Sequence, residues 1–180
     1  TAGRVTANYV CWIADRVIYE GCNIYEDCCI LTFGIDFMIG AIRAENCRDA
    51  GAVFDRIKKF GMQATLIDAN AVYSIKQLEA ALALAKMAMK EGRAVGKSVE
   101  MEFLLWLSCE IHVGNAIAKA GAKEGKEIVF VLLEGNENEA KEAAKMVGLK
   151  ISEAAEVGEN KKALEIFGIS ENGKEPEKML

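Results

Sequence analysis

The sequence predicts an α/β (α+β) domain in which several helices pack against a small mixed or antiparallel β-sheet. Short apolar segments bounded by turn-forming residues are typical of strands, and they occur at residues 38–45, 62–68 and 127–133. Helical pairs separate these segments, and consecutive helices over 74–120 break a strict β-α-β alternation. This order of elements indicates helices layered around a sheet, and it leaves the direction of the strands open.

The first part of the domain is predicted as strand, helix and strand. Residues 38–43 form a short strand, and Asp49 caps a helix that ends at Gly61 in the left-handed conformation. Residues 62–68 alternate weakly between apolar and polar and form the second strand. Helical spacing places three side chains on the buried helix face, namely Val53, Ile57 and Phe60.

Two longer helices follow, and each is opened by a serine. Ser74 and Gln77 have the spacing of a capping box, and the helix behind them ends at Gly92. Its apolar face is predicted to carry Ile75, Leu78, Leu82, Ala85 and Met89. Ser98 caps the next helix, which extends to about Leu107. Because this helix is apolar nearly all round, we expect it to be central and buried.

The remaining elements are short. A break at 108–110 precedes a short helix that ends at Gly121, and residues 128–133 form a continuous apolar strand. A helix is predicted over 138–147, and Asn160 is a candidate cap for a last helix.

Composition favours a cytoplasmic protein. The net charge of −5 and the sequence pI near 5.1 argue against nucleic-acid binding through the whole surface, but they allow a local basic stripe. No apolar run approaches the roughly 18 residues that span a bilayer, and the N-terminus lacks a signal-peptide pattern. We therefore expect a soluble, cytoplasmic protein without membrane contact, in which the six cysteines are reduced.

The composition changes near Met38. Residues 1–37 contain four of the six cysteines and no lysine, whereas the chain becomes rich in lysine, glutamate and alanine from Lys58 onward. One interpretation is that the native start is Met38, the first methionine, and that 1–37 is an upstream extension. The other is an additional N-terminal β-hairpin. We expect a single domain over 38–170 and a frayed polar tail over 171–180.

The cysteines offer two candidate sites, and each has a simpler interpretation. Cys109 and His112, the single histidine, are three residues apart, which allows a thiolate–imidazole pair. Most unpaired cysteines instead pack as small apolar side chains. Four N-terminal thiols have spacings unlike the close pairs of structural zinc sites, and they are Cys11, Cys22, Cys28 and Cys29. We predict neither a metal nor a cofactor.

Glu102 lies inside an apolar helix. A buried carboxylate is costly unless it is paired, hydrogen-bonded or protonated. One interpretation is an acid/base or ligand-contacting group, and the one we favour is a structural polar group that ties down a helix end. No GxGxxG loop is present, and residues 121–125 (GAKEG) lack the spacing of a phosphate-binding loop.

Basic residues are better patterned than catalytic ones. One group falls at i, i+4, i+7 and i+11, and it would form one positive stripe if its helix continued; it comprises Lys86, Lys90, Arg93 and Lys97. A second group comprises Lys119, Lys123 and Lys126. Solvated helix faces have the same composition, and Glu79, Glu91 and Glu100 dilute the stripe. Each phosphate of a single strand held by such cations would lower log K by about 0.7 per decade of salt.

Several ordered motifs together resemble a known family. They are Ile67-Asp68-Ala69-Asn70 leading through Ser74, Ser98-x-x-Met101-Glu102-Phe103-Leu104 with Ser108, Ala116-Ile117, Gly121-Ala122-Lys123-x-Gly125 and Leu164-x-x-Phe167-Gly168-Ile169. With this order and near-gapless spacing, residues 38–170 resemble the small regulatory subunit of the KEOPS complex, the family of the PRPK-binding protein and its archaeal counterparts.

This resemblance implies a mixed α/β fold without catalytic activity of its own. It implies binding to the kinase-like ATPase subunit of KEOPS, indirect contact with the other KEOPS subunits, and help in holding tRNA by its single-stranded 3′ CCA end. The assembly installs the threonylcarbamoyl group on the adenosine next to the anticodon. From the residues alone, the alternative is a small cytosolic enzyme that uses Cys109 and His112, or Glu102.

The resemblance also suggests roles for particular residues. The positions that match the shared helix, its cap and the kinase-partner motif are Ser98, Met101, Glu102, Ser108, Cys109 and His112. The family usually has glycine at the position of Cys109 and glutamine at that of His112, so this chain departs from the family pattern at both. The candidate tRNA-binding cations are Lys86, Lys90, Arg93, Lys97, Lys119 and Lys123. Trp106 is the visible candidate for base stacking, although a core position suits it better.

Overall fold

A computed structural model describes residues 38–45, 48–153 and 156–167. Within these ranges the strands are β1 (Gly40–Ala44), β2 (Ala64–Asp68) and β3 (Ile128–Leu132). The helices are α1 (Ala50–Lys59), α2 (Ile75–Lys90), α3 (Val99–Ser108), α4 (Val113–Ala120), α5 (Glu137–Met146) and α6 (Lys162–Ile166). The N-terminal cysteines, the alternatives for 1–37 and the polar tail all lie outside the described residues.

The three strands form one antiparallel sheet in the order β1-β3-β2. Phe130 of the central strand lies opposite Ile42 on one side and Leu66 on the other. The continuous apolar run of β3 is explained by this position, because a central strand covered on both faces has no polar side to present. The predicted fold class is therefore confirmed, with the antiparallel alternative as the correct one.

Helices cover both faces of the sheet. Ile67 and Val129 point to one face, where they pack against α2, α3, α4 and α6. Leu66 and Phe130 point to the other face, where α1 and α5 cover them. The strand period of two thus divides the core into two layers of side chains. None of the helices in the described ranges is long and apolar enough to cross a membrane.

The ends of α1 agree with the prediction, but its buried face contains fewer residues than predicted. The Asp49 side chain accepts a hydrogen bond from Ala52 N at 2.9 Å, and Gly61 has a φ of 64°. Val53 and Ile57 are buried, as predicted. Phe60 is wrongly predicted as a core residue. The helix ends at Lys59, and Phe60 forms its exposed cap.

The predicted capping box at α2 forms only in part. Ser74 Oγ accepts a bond from Gln77 N at 3.4 Å, whereas Gln77 Oε1 accepts from Tyr73 N at 2.6 Å rather than from the serine. A complete capping box occurs at α5 instead, where Asn136 and Glu139 exchange bonds. That box is absent from the predicted elements, although its Asn-x-x-Glu spacing carries the signal.

Candidate interaction surfaces

Glu102 anchors the segment that connects α2 to α3. Its side chain is 4% exposed, and Oε2 accepts hydrogen bonds from Val95 N at 2.9 Å and Gly96 N at 2.7 Å. Oε1 accepts a bond from the Trp106 indole Nε1 at 2.9 Å. A Cβ added at Gly96 would lie 2.6 Å from Glu102 N, so only glycine allows this approach. The interpretation of Glu102 as a satisfied structural group agrees with these bonds.

Side chains of this connecting segment alternate between solvent and protein. Arg93, Val95 and Lys97 are exposed, whereas Ala94 is half-buried and Gly96 is buried. The alternation arises because the two backbone N–H groups bonded to Glu102 hold the chain against α3. The side chains of Arg93, Val95 and Lys97 are therefore all exposed to solvent.

The continuous positive stripe does not form. Helix α2 ends at Lys90, and Gly92 turns the chain with a φ of 68°. Arg93 and Lys97 therefore lie in the connecting segment, and only Lys86 and Lys90 share a helix. A continuous stripe requires α2 to extend beyond Lys90, and Gly92 in the left-handed conformation ends the helix there.

Besides Arg93, which pairs with the neighbouring Glu91, three of the predicted tRNA-binding cations make ion pairs within the protein. Lys86 Nζ lies 3.0 Å from Glu134 Oε1, and Lys119 Nζ lies 3.1 Å from Glu110 Oε1 and 5.2 Å from the centre of the Phe167 ring. The third cation, Lys123, places its Nζ 3.2 Å from Asp68 Oδ2.

Asp68 organises a polar corner at the end of β2. It is 1% exposed, and its Oδ1 accepts bonds from Asn70 N at 2.9 Å and Asn70 Nδ2 at 3.1 Å. Asn160, which precedes α6, donates from Nδ2 to Ala69 O at 3.0 Å. The Ile67–Asn70 motif therefore joins three distant parts of the chain.

The turn between α3 and α4 holds the other motif positions. Ser108 is buried, and its Oγ donates to Leu105 O at 3.2 Å. Cys109 adopts the left-handed conformation with a φ of 56°, and its thiol lies 3.6 Å from Trp106 O. His112 is exposed and precedes α4 without a side-chain cap bond. The thiol is thus directed back toward α3, and the structure provides no thiol–imidazole hydrogen bond between these two residues.

Glycine at position 109 is expected to stabilise the protein. The left-handed conformation costs a residue with a Cβ roughly 1–2 kcal/mol, and glycine removes this cost. The greater entropy of glycine in the unfolded chain offsets part of the resulting stabilisation. We expect Cys109→Gly to raise the free energy of unfolding by about 0.5–1 kcal/mol in urea titrations. Cys109→Ala is the matched control, because it keeps the strain and should give no gain. A Cys109→Gly protein less stable than the alanine variant would contradict this.

Helix α4 and the bend before it present an exposed apolar face that none of the motifs above includes. Ile111 and Ile117 are 53% and 48% exposed, and Gly114 and Ala118 beside them are also exposed. We call these four residues the α4 face. The spacing of Gly114, Ile117 and Ala118 is the signal in the sequence, because it places these three on one side of the helix. Ile111 lies in the bend just before the helix cap. A Cβ added at Gly114 would meet no atom within 4 Å, so this side is open.

Large apolar side chains exposed close together are a feature of protein–protein interaction surfaces. In the described ranges, no group of three or more His, Cys, Asp or Glu side chains is placed to hold a metal ion. The sequence model of the family described as "Kinase binding protein CGI-121" matches residues 45–179, about three quarters of the 180-residue chain. The chain belongs to this family, which confirms the resemblance to the KEOPS small subunit. No curated protein matches this chain significantly.

Proposed function

We propose that this protein is a non-catalytic regulatory subunit of the KEOPS tRNA-modifying complex. In this role it binds the kinase-like ATPase subunit and helps recruit tRNA through the 3′ CCA end. Membership of the kinase binding protein family carries the proposal. The bonding of Glu102 supports it as well, because a carboxylate that accepts three structural hydrogen bonds is poorly placed for acid/base chemistry.

The α4 face is the surface we assign to the kinase-like partner. Large apolar side chains exposed beside small residues allow another element to approach closely and bury area. Ile117 also belongs to the Ala116-Ile117 motif that carries the family resemblance. The face continues from the turn at Ser108 and Cys109, where further motif positions lie. Lys119 and Glu110 form an ion pair, so the edge of the α4 face carries no net charge from these two residues.

Charged substitutions on the α4 face are expected to break kinase binding. Ile111→Glu or Ile117→Glu should weaken the Kd for the kinase-like subunit at least about ten-fold, because a carboxylate would be desolvated in the interface. Isothermal titration calorimetry on the full chain measures the Kd, and an ATPase assay measures the accompanying loss of stimulation. Met146→Glu is the matched control, since Met146 is equally exposed but lies at the end of α5 on the other layer.

The outcomes separate the surface from the function. Unchanged affinity in both α4-face variants would reject this surface and leave the proposed function intact. A wild-type chain that does not bind the kinase-like subunit would reject the regulatory function itself.

A further inference from the structure

Four apolar side chains are exposed or half-buried at one end of the sheet. Met38 and Phe60 are 61% and 47% exposed, and Met62 and Leu132 are half-buried. We call these four residues the sheet-end cluster. Met62 and Leu132 pack in the layer that α1 and α5 cover, whereas α4 packs on the opposite face of the sheet. The cluster is therefore a second apolar surface, separate from the α4 face.

The strand register brings the strand members of this cluster together. Leu132, at the end of β3, lies between Gly40 of β1 and Ala64 of β2. Met38 and Met62 come two residues before these partners, so strand alternation places them on the same face as Leu132 and on either side of it. Because Gly40 has no side chain and Ala64 only a methyl group, Leu132 remains partly exposed.

Phe60 extends the cluster from the helix layer. It directly follows the last residue of α1, and Met62 N donates to Ile57 O at 3.1 Å, so the chain turns from the helix straight into β2. At the other edge, Gly135 N donates to Met38 O at 3.2 Å. Both ends of the cluster are thus fixed by backbone hydrogen bonds.

Charges of both signs surround the cluster. Lys59 and Asp55 are exposed and lie one turn apart at the end of α1. Lys86 Nζ pairs with Glu134 Oε1 at 3.0 Å, beside the end of β3. Apolar area rather than charge therefore selects what covers this surface.

The chain itself supplies an apolar segment at this place. Residues 28–37 (CCILTFGIDF) directly precede Met38, and seven of these ten residues are apolar. Gly34 allows the chain to reverse its direction, because glycine adopts conformations that other residues avoid. The segment is covalently joined to the cluster, so its effective concentration there is about millimolar and a weak contact is sufficient. A separate partner would first have to compensate for its lost translational freedom.

We infer that residues 28–33 fold back and pack on the sheet-end cluster. Ile30, Leu31 and Phe33 are the side chains that cover it. This packing accounts for Phe60, a large aromatic residue that ends its helix without a place in the core. It also makes the segment before Met38 a part of the folded domain, in agreement with the second of the two interpretations given above for 1–37.

Limited digestion of the full chain with chymotrypsin tests this packing. We expect cleavage after Phe33 to be at least about ten-fold slower than in an isolated peptide of residues 24–40, because a packed segment must detach before the protease can bind it. Phe60→Asp should restore the peptide rate, since its carboxylate would be desolvated beneath the segment. Met146→Asp is the matched control. Met146 is similarly exposed, but it ends α5 near Ile151, which pairs with the opposite end of β1.

A second variant approaches the contact from the segment itself. Leu31→Asp should also raise the cleavage rate after Phe33 to that of a peptide with the same substitution. The double variant Leu31→Asp/Phe60→Asp should be no faster than either single variant, because the contact can be lost only once. Circular dichroism of each variant verifies that the domain is folded.

Every outcome supports or overturns the inference. Wild-type cleavage after Phe33 at the peptide rate overturns it, and so does protection that both Phe60→Asp and Leu31→Asp leave unchanged. Protection that disappears on dilution assigns the cluster to a second copy of the chain. Protection that requires the kinase-like subunit assigns it to that partner, and both results overturn the inference. Because the α4 face lies on the other layer, loss of this packing leaves the proposed function standing.

Discussion

Replacing Glu102 with alanine is expected to lower the free energy of unfolding by about 3–5 kcal/mol. The carboxylate accepts bonds from Val95 N, Gly96 N and the Trp106 indole. Each donor left unsatisfied in a buried place costs roughly 1–3 kcal/mol. Water that reaches the partly exposed donors offsets some of this cost. Urea unfolding of the full chain, followed by circular dichroism, gives the value.

Two further variants separate hydrogen bonding from helix effects. Glu102→Gln should lower the free energy of unfolding less than the alanine variant does. Its amide oxygen can still accept hydrogen bonds, whereas its NH₂ group would face the remaining donors and cannot accept from them. Glu100→Ala removes a half-buried carboxylate from the first turn of the same helix and should cost less than about 1 kcal/mol. If Glu102→Ala unfolded at the wild-type urea concentration, the anchoring role would be wrong.

Asp68→Ala is expected to lower the free energy of unfolding by about 2–4 kcal/mol. The substitution removes the acceptor for both Asn70 donors and the partner of Lys123. Lys123→Ala should cost only about 1 kcal/mol, since the Lys123 side chain is 41% exposed and its ion pair is weakened by solvent.

A double-mutant cycle measures the coupling between Asp68 and Lys123. We expect the double variant to be about 1 kcal/mol more stable than the sum of the single losses predicts, because the ion pair can be lost only once. Lys126→Ala, at an exposed lysine of the same loop, is the control. Strictly additive losses would show that the 3.2 Å contact contributes nothing in solution.

Sequence patterns predicted the elements of this fold because the signals are local. The caps at Asp49 and Ser98 and the left-handed stops at Gly61 and Gly92 act within a few residues of their own positions. The error at Phe60 has the same origin. Periodicity describes a helix that continues, and it does not locate the residue at which the helix leaves the core.

The candidate surfaces were harder to predict because they depend on contacts between distant residues. The pairing of Asp68 with Lys123 joins the end of β2 to the loop before β3, and no local pattern records that approach. The sequence alone therefore groups Lys123 with the candidate cations for tRNA. The need of Glu102 for partners was predictable from its apolar helix, whereas the identity of the Val95 and Gly96 donors was not.

The position of β3 has a consequence for folding in the cell. The central strand is the last of the three in the chain, so β1 and β2 have no partner in this sheet until it is made. At 5–20 residues per second, a ribosome needs roughly 3–12 s to proceed from the end of β2 to β3. During that time two apolar strands have unpaired edges, which are templates for aggregation. During translation the sheet therefore cannot form until β3 has been made. Until then, the nascent chain is a natural client for chaperones that shield strands.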